Sequence, residues 1–429
     1  MPDYRPFLIA WNLTSRCNLY CDHCYLSAGE RGSGAANELA TADCFRVIDE
    51  LCGVSPGAIL VLTGGEPLLR TDLPQIAQYA TRRGLMVVVG TNGTLLTDSR
   101  VRFLQRAGVT GVSISVDSLD PERHDRFRGR PGALAGALAG IDACRRNGLA
   151  FQVHTTASTL NLDEIPELIA FSARHEARVF NLFFLVCTGR GEGMTDITPQ
   201  QYEQLLVELI AVQERYPGML IRARCAPHFK RVAHEQAPDR PLTKAHGYLA
   251  GGCLAGTHYV RIMPDGELTP CPFLPIPLGN LRTDAFAPLW QDHPVLQDLR
   301  RPQLKGRCGE CEYTELCGGC RARPFAHDGD YLGEDQWCLY QPRGGARIGA
   351  AAEQGLSLIW TAEARARLQR IPLFLRSMIG ARIEDKARAD GLRVVTLGLM
   401  DRLRQESFGG ARPLFTDGRF DGLGRDDPG

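Results

Sequence analysis

Residues 7–24 read FLIAWNL (Phe7–Leu13) followed by TSRCNLYCDHC (Thr14–Cys24). The first stretch is a near-continuous apolar run, the pattern of a strand buried on both faces. The second is polar and carries three cysteines. The same succession of apolar run and polar turn recurs down the chain: candidate strands are Ala58–Leu62, Leu85–Gly90, Gly111–Val116, Ala150–Thr155 and Arg178–Val186. Between them Thr41–Leu51, Leu73–Arg83, Asp98–Ala107, Ala133–Asn147, Leu162–Arg174 and Pro199–Arg215 read as helices, several preceded by a Thr, Asp or Asn suited to cap them. Strand and helix in alternation predict an α/β fold with a parallel sheet, open or curled into an incomplete (β/α)6 TIM-like barrel. Such sheets place their chemistry at the carboxyl ends of strands. The residues there are Thr14–Cys24, Thr63–Pro67 (TGGEP), Thr91–Gly93 (TNG), Asp117 with Ser118, and Thr188–Gly191 (TGRG). Turn formation alone accounts for any one of these loops; together they predict one ringed site.

The chain has 429 residues, enough for two or three domains. Its 49 Lys and Arg balance 49 Asp and Glu, so no positive excess is available to hold a nucleic-acid backbone. Its apolar runs fall short of the roughly 18 residues that span a membrane, and the first eleven residues lack a secretion signal. The expectation is a cytoplasmic protein with neither nucleic-acid nor membrane partners. Fifteen cysteines, bunched at two- to five-residue spacing in a reducing compartment, point to metal. Cys44, Cys52 and Cys144 stand apart inside predicted helices and read as small buried hydrophobes.

Cys17-x3-Cys21-x2-Cys24 offers three thiolates, enough to hold three irons of a cubane and leave the fourth free for a small molecule. A zinc site would want a fourth ligand, and His23, wedged between two cysteines, is awkwardly placed to provide it. The motif resembles that of radical S-adenosylmethionine (SAM) enzymes, with His23 in the slot of the family's adenine-facing aromatic residue, and the resemblance covers the first 215 residues or so. It implies a 4Fe-4S cluster on Cys17, Cys21 and Cys24. It also implies SAM held by Gly64, Gly65 and Glu66 of the GGEP loop, by Asn92, by Ser115 and Asp117, and by Thr156 and Asn161. The implied chemistry is reductive SAM cleavage to a 5′-deoxyadenosyl radical that takes hydrogen from substrate, with flavodoxin or ferredoxin as electron donor.

Past residue 216 Pro, Gly and Cys dominate up to about Gly345, a segment expected to depend on bound metal for its fold. Cys253-x17-Cys271 and Cys308-x2-Cys311-x5-Cys317-x2-Cys320-x17-Cys338 resemble a SPASM auxiliary-cluster domain. The resemblance implies two auxiliary iron-sulfur clusters, one on Cys308, Cys311, Cys317 and Cys338, the other on Cys253, Cys271 and Cys320. The fullest form of that module has a further cysteine soon after the first. Here Leu254–Val260 contains none, leaving either an open iron or a ligand from elsewhere, for which Cys225 is the candidate. Paired C-x2-C motifs also suit zinc.

The expected domains are a partial barrel (1–215), a Cys-rich auxiliary domain (216–345), a small helical domain (346–408) with apolar residues at three- and four-residue spacing, and a disordered tail (409–429). Trp11–Thr14, Phe184–Gly191, Cys225–Phe229 and Cys317–Arg323 resemble the radical SAM proteins that trim siroheme-derived porphyrins in heme biosynthesis. Trp360–Ser407 resembles the C-terminal domain of the B subunit of light-independent protochlorophyllide reductase. Both imply a tetrapyrrole substrate whose propionate or acetate side chains are modified, arginines pairing with its carboxylates. Cys187 and Arg190, at the mouth of the expected barrel, are candidates to face substrate or, for Arg190, a carboxylate of SAM. The second reading is maturation of a ribosomally made peptide, common among SPASM enzymes, although the winged-helix segment many of those carry has no room before residue 7. A third is a non-catalytic cluster carrier, against which the full set of SAM loops argues.

Overall fold

The computed structural model describes residues 4–29, 37–194, 197–238, 252–349, 358–369, 371 and 373–408. The tail expected to be disordered, 409–429, lies outside them. The described residues divide into two compact units, 4–349 and 358–408.

In the first unit the strands are β1 Leu8–Asn12, β2 Ile59–Thr63, β3 Met86–Thr91, β4 Gly111–Ser115, β5 Phe151–Ala157, β6 Val179–Phe184 and β7 Leu220–Arg224. They are parallel and lie in sequence order. Helices α1 Thr41–Val54, α2 Leu73–Arg82, α3 Asp98–Arg106, α4 Pro121–Arg128, α5 Ala133–Arg146, α6 Ile165–Arg174, α7 Pro199–Val212 and α8 His228–Gln236 connect and follow them. On the far side of β1, β8 Tyr259–Ile262 adds in parallel, followed by antiparallel β9 Glu267–Thr269 and β10 Gly279–Asn280. The ten strands make one sheet ordered β10-β9-β8-β1-β2-β3-β4-β5-β6-β7.

The alternation expected to stop at residue 215 therefore runs on through β7 and α8. The pattern hid this strand because LIRAR (Leu220–Arg224) puts two arginines in an element whose fellows are apolar. Helix α4 also went unforeseen: eight residues, six of them charged or His, leave little apolar periodicity. Its punctuation was readable, since Asp120 accepts from the Arg123 N–H, Pro121 opens the helix, and left-handed Gly129 ends it.

The core lies between sheet and helices. Ile9, Trp11, Leu60, Leu62, Val87 and Val89 occupy one face of their strands and are fully buried, each such side chain contributing about 2 kcal/mol. Cys44 and Cys144 belong to this core. The alternate residues face inward, and many there are only half-buried, as Val61, Gly90, Ser115, Gln152, His154 and Phe183 are.

Beyond α9 Phe286–Asp292 and α10 Pro294–Arg300, Cys308, Cys311, Cys317, Cys320 and Cys338 sit on short segments around α11 Gly306–Glu310 and α12 Ala322–Asp328. The second unit holds α13 Ala362–Gln369, α14 Leu373–Ala389 and α15 Leu397–Phe408 with a two-residue parallel pair, β11 Ile359–Trp360 and β12 Val394–Val395. Trp360, Ala364, Leu368, Ile383, Ala387 and Leu399 form its separate core, and buried Glu384 accepts from Trp360 Nε1 and the Leu358 N–H. Among the described residues no helix is long and apolar enough to cross a membrane.

Candidate functional site

The loop after β1 brings Cys17, Cys21 and Cys24 together, so that the Cys17 thiol feels both others and Cys21 feels Cys24. Two neighbouring elements clasp this loop. From α4, the Phe127 and Arg128 carbonyls accept from the Asp22 and Tyr20 N–H groups, and Arg128 Nη1 donates to Cys21 Sγ at 3.6 Å. From the loop after β6, Arg190 Nε donates to the Cys21 carbonyl (2.9 Å) and Nη1 to that of Ala28 (2.7 Å), while its guanidinium lies 3.9 Å from the centre of the Tyr20 ring. Arg190, expected to meet a carboxylate, is thus spent on the backbone of the cysteine loop, where two carbonyls and an aromatic face satisfy its planar head. Gly189 has φ +60°, and a Cβ there would stand 2.6 Å from the Cys24 carbonyl. Cys187 is half-buried, and its thiol donates to the Met194 carbonyl at 3.6 Å.

The GGEP glycines have a packing reason the sequence did not reveal. A Cβ on Gly64 would fall 2.5 Å from the Thr14 carbonyl and one on Gly65 2.2 Å from that of Arg16, so the loop fits only because both lack side chains. The Gly65 and Glu66 N–H groups donate to those same carbonyls. Glu66 is fully buried; its carboxylate accepts from Thr91 Oγ1, the Asn92 N–H and the Leu68 N–H. Burial pushes its pKa up to about 7 despite those donors. Asn92 reaches back to the cysteine loop, Nδ2 donating to Asn18 Oδ1 at 2.9 Å.

Asp117, after β4, is buried and pairs with Arg128; it also accepts from the Thr156 N–H at 2.8 Å. Burial opposes its charge, but Arg128 prevails and holds the carboxyl below its ordinary range. Asn161 spends its amide on the loops, Nδ2 donating to the Asp117 and Thr156 carbonyls and Oδ1 accepting from the Ser158 N–H. Ser115 sits half-buried opposite His154. The His23 ring stacks on Phe127 at 4.4 Å and 4°. Burial, then Arg128, lowers its pKa to about 4, so it is neutral at pH 7, and its Nδ1 is buried without a hydrogen-bond partner. The sequence-predicted residues therefore converge at one end of the sheet, with Asn161 and Arg190 committed to holding loops.

The auxiliary cysteines form two groups. Cys308, Cys311, Cys317 and Cys338 line one cavity with His228 and Arg231. The second group holds Cys253, Cys271 and Cys320, joined by Cys225: the Cys271 thiol feels the other three, and the Cys225 thiol feels Cys320 and Cys253. Cys225 follows β7 with φ +56°, a conformation seldom adopted outside glycine, and its carbonyl accepts from Arg323 Nη2. Arg323 also donates to buried Asp335 (2.9 Å), which takes the Cys320 N–H (2.8 Å) and stands 3.6 Å from His228 Nε2. His228 in turn meets the Tyr202 hydroxyl at 2.8 Å.

Among the described residues no three His, Cys, Asp or Glu side chains close on a single metal ion. Thiols gathered in a trio and in groups of four are the donor sets that iron-sulfur clusters use. The orphaned His23 Nδ1 and the buried carboxylates around the first trio fit a polar ligand beside it.

Comparison with known proteins agrees. The profile described as the Radical SAM superfamily matches residues 11–172, that of the SPASM iron-sulfur cluster-binding domain residues 253–321, and that of the proto-chlorophyllide reductase 57 kD subunit residues 360–404. The AdoMet-dependent heme synthase of Methanosarcina barkeri is 42% identical over 79% of this chain and 97% of its own. Mycofactocin maturase MftC of Mycolicibacterium smegmatis is 30% identical over 78% and 83%. Among solved structures, Streptococcus suis SuiB bound to its precursor peptide SuiA superposes with a TM-score of 0.63 at 17% identity, over 79% of this chain and 76% of that one, a likeness of fold. With the trio of thiols at the end of a partial barrel and the auxiliary cysteines in two further groups, the chain belongs to the radical SAM superfamily, as an enzyme using S-adenosylmethionine and a 4Fe-4S cluster and bearing an iron-sulfur cluster-binding SPASM domain.

Proposed function

We propose that this enzyme modifies the propionate or acetate side chains of a tetrapyrrole in the formation of heme or a related cofactor, as an oxidoreductase or lyase of the cytoplasm fed by flavodoxin or ferredoxin. The observation that carries the reading is the 42% identity to a heme synthase across 97% of that protein's length. Bound to a reduced cluster, SAM supplies the 5′-deoxyadenosyl radical. The chain's own residues prepare the place for it. Cys17, Cys21 and Cys24 hold the cluster, Arg190 and the carbonyls of α4 fix their loop, and Glu66 orders the TNG turn. Asp117, tied to Arg128 and Thr156, keeps the loops after β4 and β5 in register. Cys308, Cys311, Cys317 and Cys338 hold one auxiliary cluster, and Cys253, Cys271 and Cys320 hold the other with Cys225 as fourth ligand. Helix-rich residues 358–408 form a separate domain, consistent with their own core.

Anaerobic incubation with SAM, reductant and iron coproporphyrin tests the reading. 5′-Deoxyadenosine formed together with a porphyrin of lower mass is expected. Turnover of a precursor peptide with no porphyrin-dependent product would favour the second reading, for which the likeness to mycofactocin maturase speaks.

A further inference from the structure

The inward face of the parallel sheet has two unlike halves. Strand register aligns Ala10, Val61 and Val88 on the β1–β3 side, an apolar wall. On the other side Ser115, His154, Asn181 and Arg222 form one inward row. Phe183 and Arg224 stand side by side in the next. The interior of a closed barrel of this kind is ordinarily filled by branched apolar side chains; here it carries two arginines on one strand, two residues apart and thus on one face.

Other buried arginines have partners: Arg261, Arg300 and Arg321 donate to backbone carbonyls. Arg70, Arg128, Arg231 and Arg323 are buried, and each faces a carboxylate. Arg222 and Arg224 face none among the described residues: Arg224 Nε donates to the neutral Asn181 Oδ1 at 2.9 Å, and Arg222 Nε is buried without a hydrogen-bond partner. A third cation, Lys230 of α8, lies close enough to Arg222 to feel its charge. Burial first, and then their neighbours' charge, lowers the pKa of Arg222 to about 9 and that of Lys230 to about 8, so both remain charged at pH 7. Arg222, Arg224 and Lys230 are half-buried; holding three cations together, partly shielded from water and without a carboxylate, is costly, and a fold that does so has a use for an anion there.

The position suits a substrate. His154 is within electrostatic reach of both Arg224 and Asp117, which borders the Cys17 loop through Arg128. Arg224 is adjoined by Cys225 of the auxiliary quartet and interacts with Tyr259, which in turn feels Cys271. A ligand seated on these arginines lies between the first thiol trio and the second group.

We propose that Arg222 and Arg224, backed by Lys230, bind two carboxylates of the substrate while the apolar wall of β1–β3 covers its ring system. The inference rests on the tetrapyrrole reading and names the groups that select it: a flat apolar body with at least two propionates.

The test titrates iron coproporphyrin, and its methyl ester, into the reconstituted enzyme by absorbance. For R222Q/R224Q the acid is expected to bind roughly 100-fold more weakly or worse, with R222K/R224K recovering part of the loss. The ester is expected to bind wild type and R222Q/R224Q equally weakly. Removal of two unpaired charges is expected to raise the melting temperature of R222Q/R224Q, a direction that misfolding would not produce. Equal affinity of wild type and R222Q/R224Q for the acid, or a lowered melting temperature, overturns this proposal and leaves the tetrapyrrole reading standing. No porphyrin bound by wild type overturns that reading, and this proposal with it.

Discussion

The first cysteine trio and the Cys225–Cys320 quartet differ in how they are assembled. The trio comes from eight consecutive residues on one loop, and the protein's effort goes into clasping that loop: α4, the GGEP turn and Arg190 all touch it. The quartet gathers single residues from after β7, before β8, after β9 and before α12, and it exists only when the sheet has brought them together. A local motif can keep a vacant coordination position because its neighbours fix it; a dispersed one relies on its ligands to tie separate segments, so losing one ligand loosens the others.

This contrast can be broken most sharply at Cys225. C225A is expected to change the electron paramagnetic resonance of one auxiliary cluster and lower iron content, leaving the signal of the SAM cluster intact. An unaltered auxiliary spectrum would show that the second group has only three ligands. Arg190→Ala removes two hydrogen bonds and the stack on Tyr20, worth about 2–3 kcal/mol together. The expected result is roughly tenfold lower kcat with unchanged KM for SAM and substrate; a raised KM would assign the guanidinium to a carboxylate after all. The smallest effect concerns Glu66. Because its folded pKa is raised from 4.5 to about 7, the folded state binds the proton more tightly than the unfolded one. Its contribution is full below about 4.5 and lost as pH rises through about 7. The melting temperature of E66Q relative to wild type is expected to rise between pH 5 and pH 8, and a pH-independent difference would contradict the buried, raised carboxyl.

Legibility followed the same division between local and dispersed features. The six strands, their helices and the loops at their carboxyl ends could be read because each is a contiguous run with its own period. Cys17, Cys21, Cys24, Glu66 and Asp117 could be singled out because they lie where such runs end. Missed were α4, too short and charged to show a stripe, and β7, whose arginines serve the interior rather than the core. The parallel return of β8 beside β1 is a pairing across some 250 residues that no local pattern encodes. Side-chain commitments were also hidden. Nothing in TGRG says that its arginine reaches backward to Cys21, and nothing in GGEP says that its glycines make room for Thr14 and Arg16.

Iron counting on C17A/C21A/C24A, with SAM cleavage measured in parallel, tests most directly whether those three thiols carry the radical chemistry. The expected result is a loss of about four irons per chain, auxiliary signals retained, and no 5′-deoxyadenosine. Cleavage of SAM by the triple variant, or iron content equal to wild type, would contradict it.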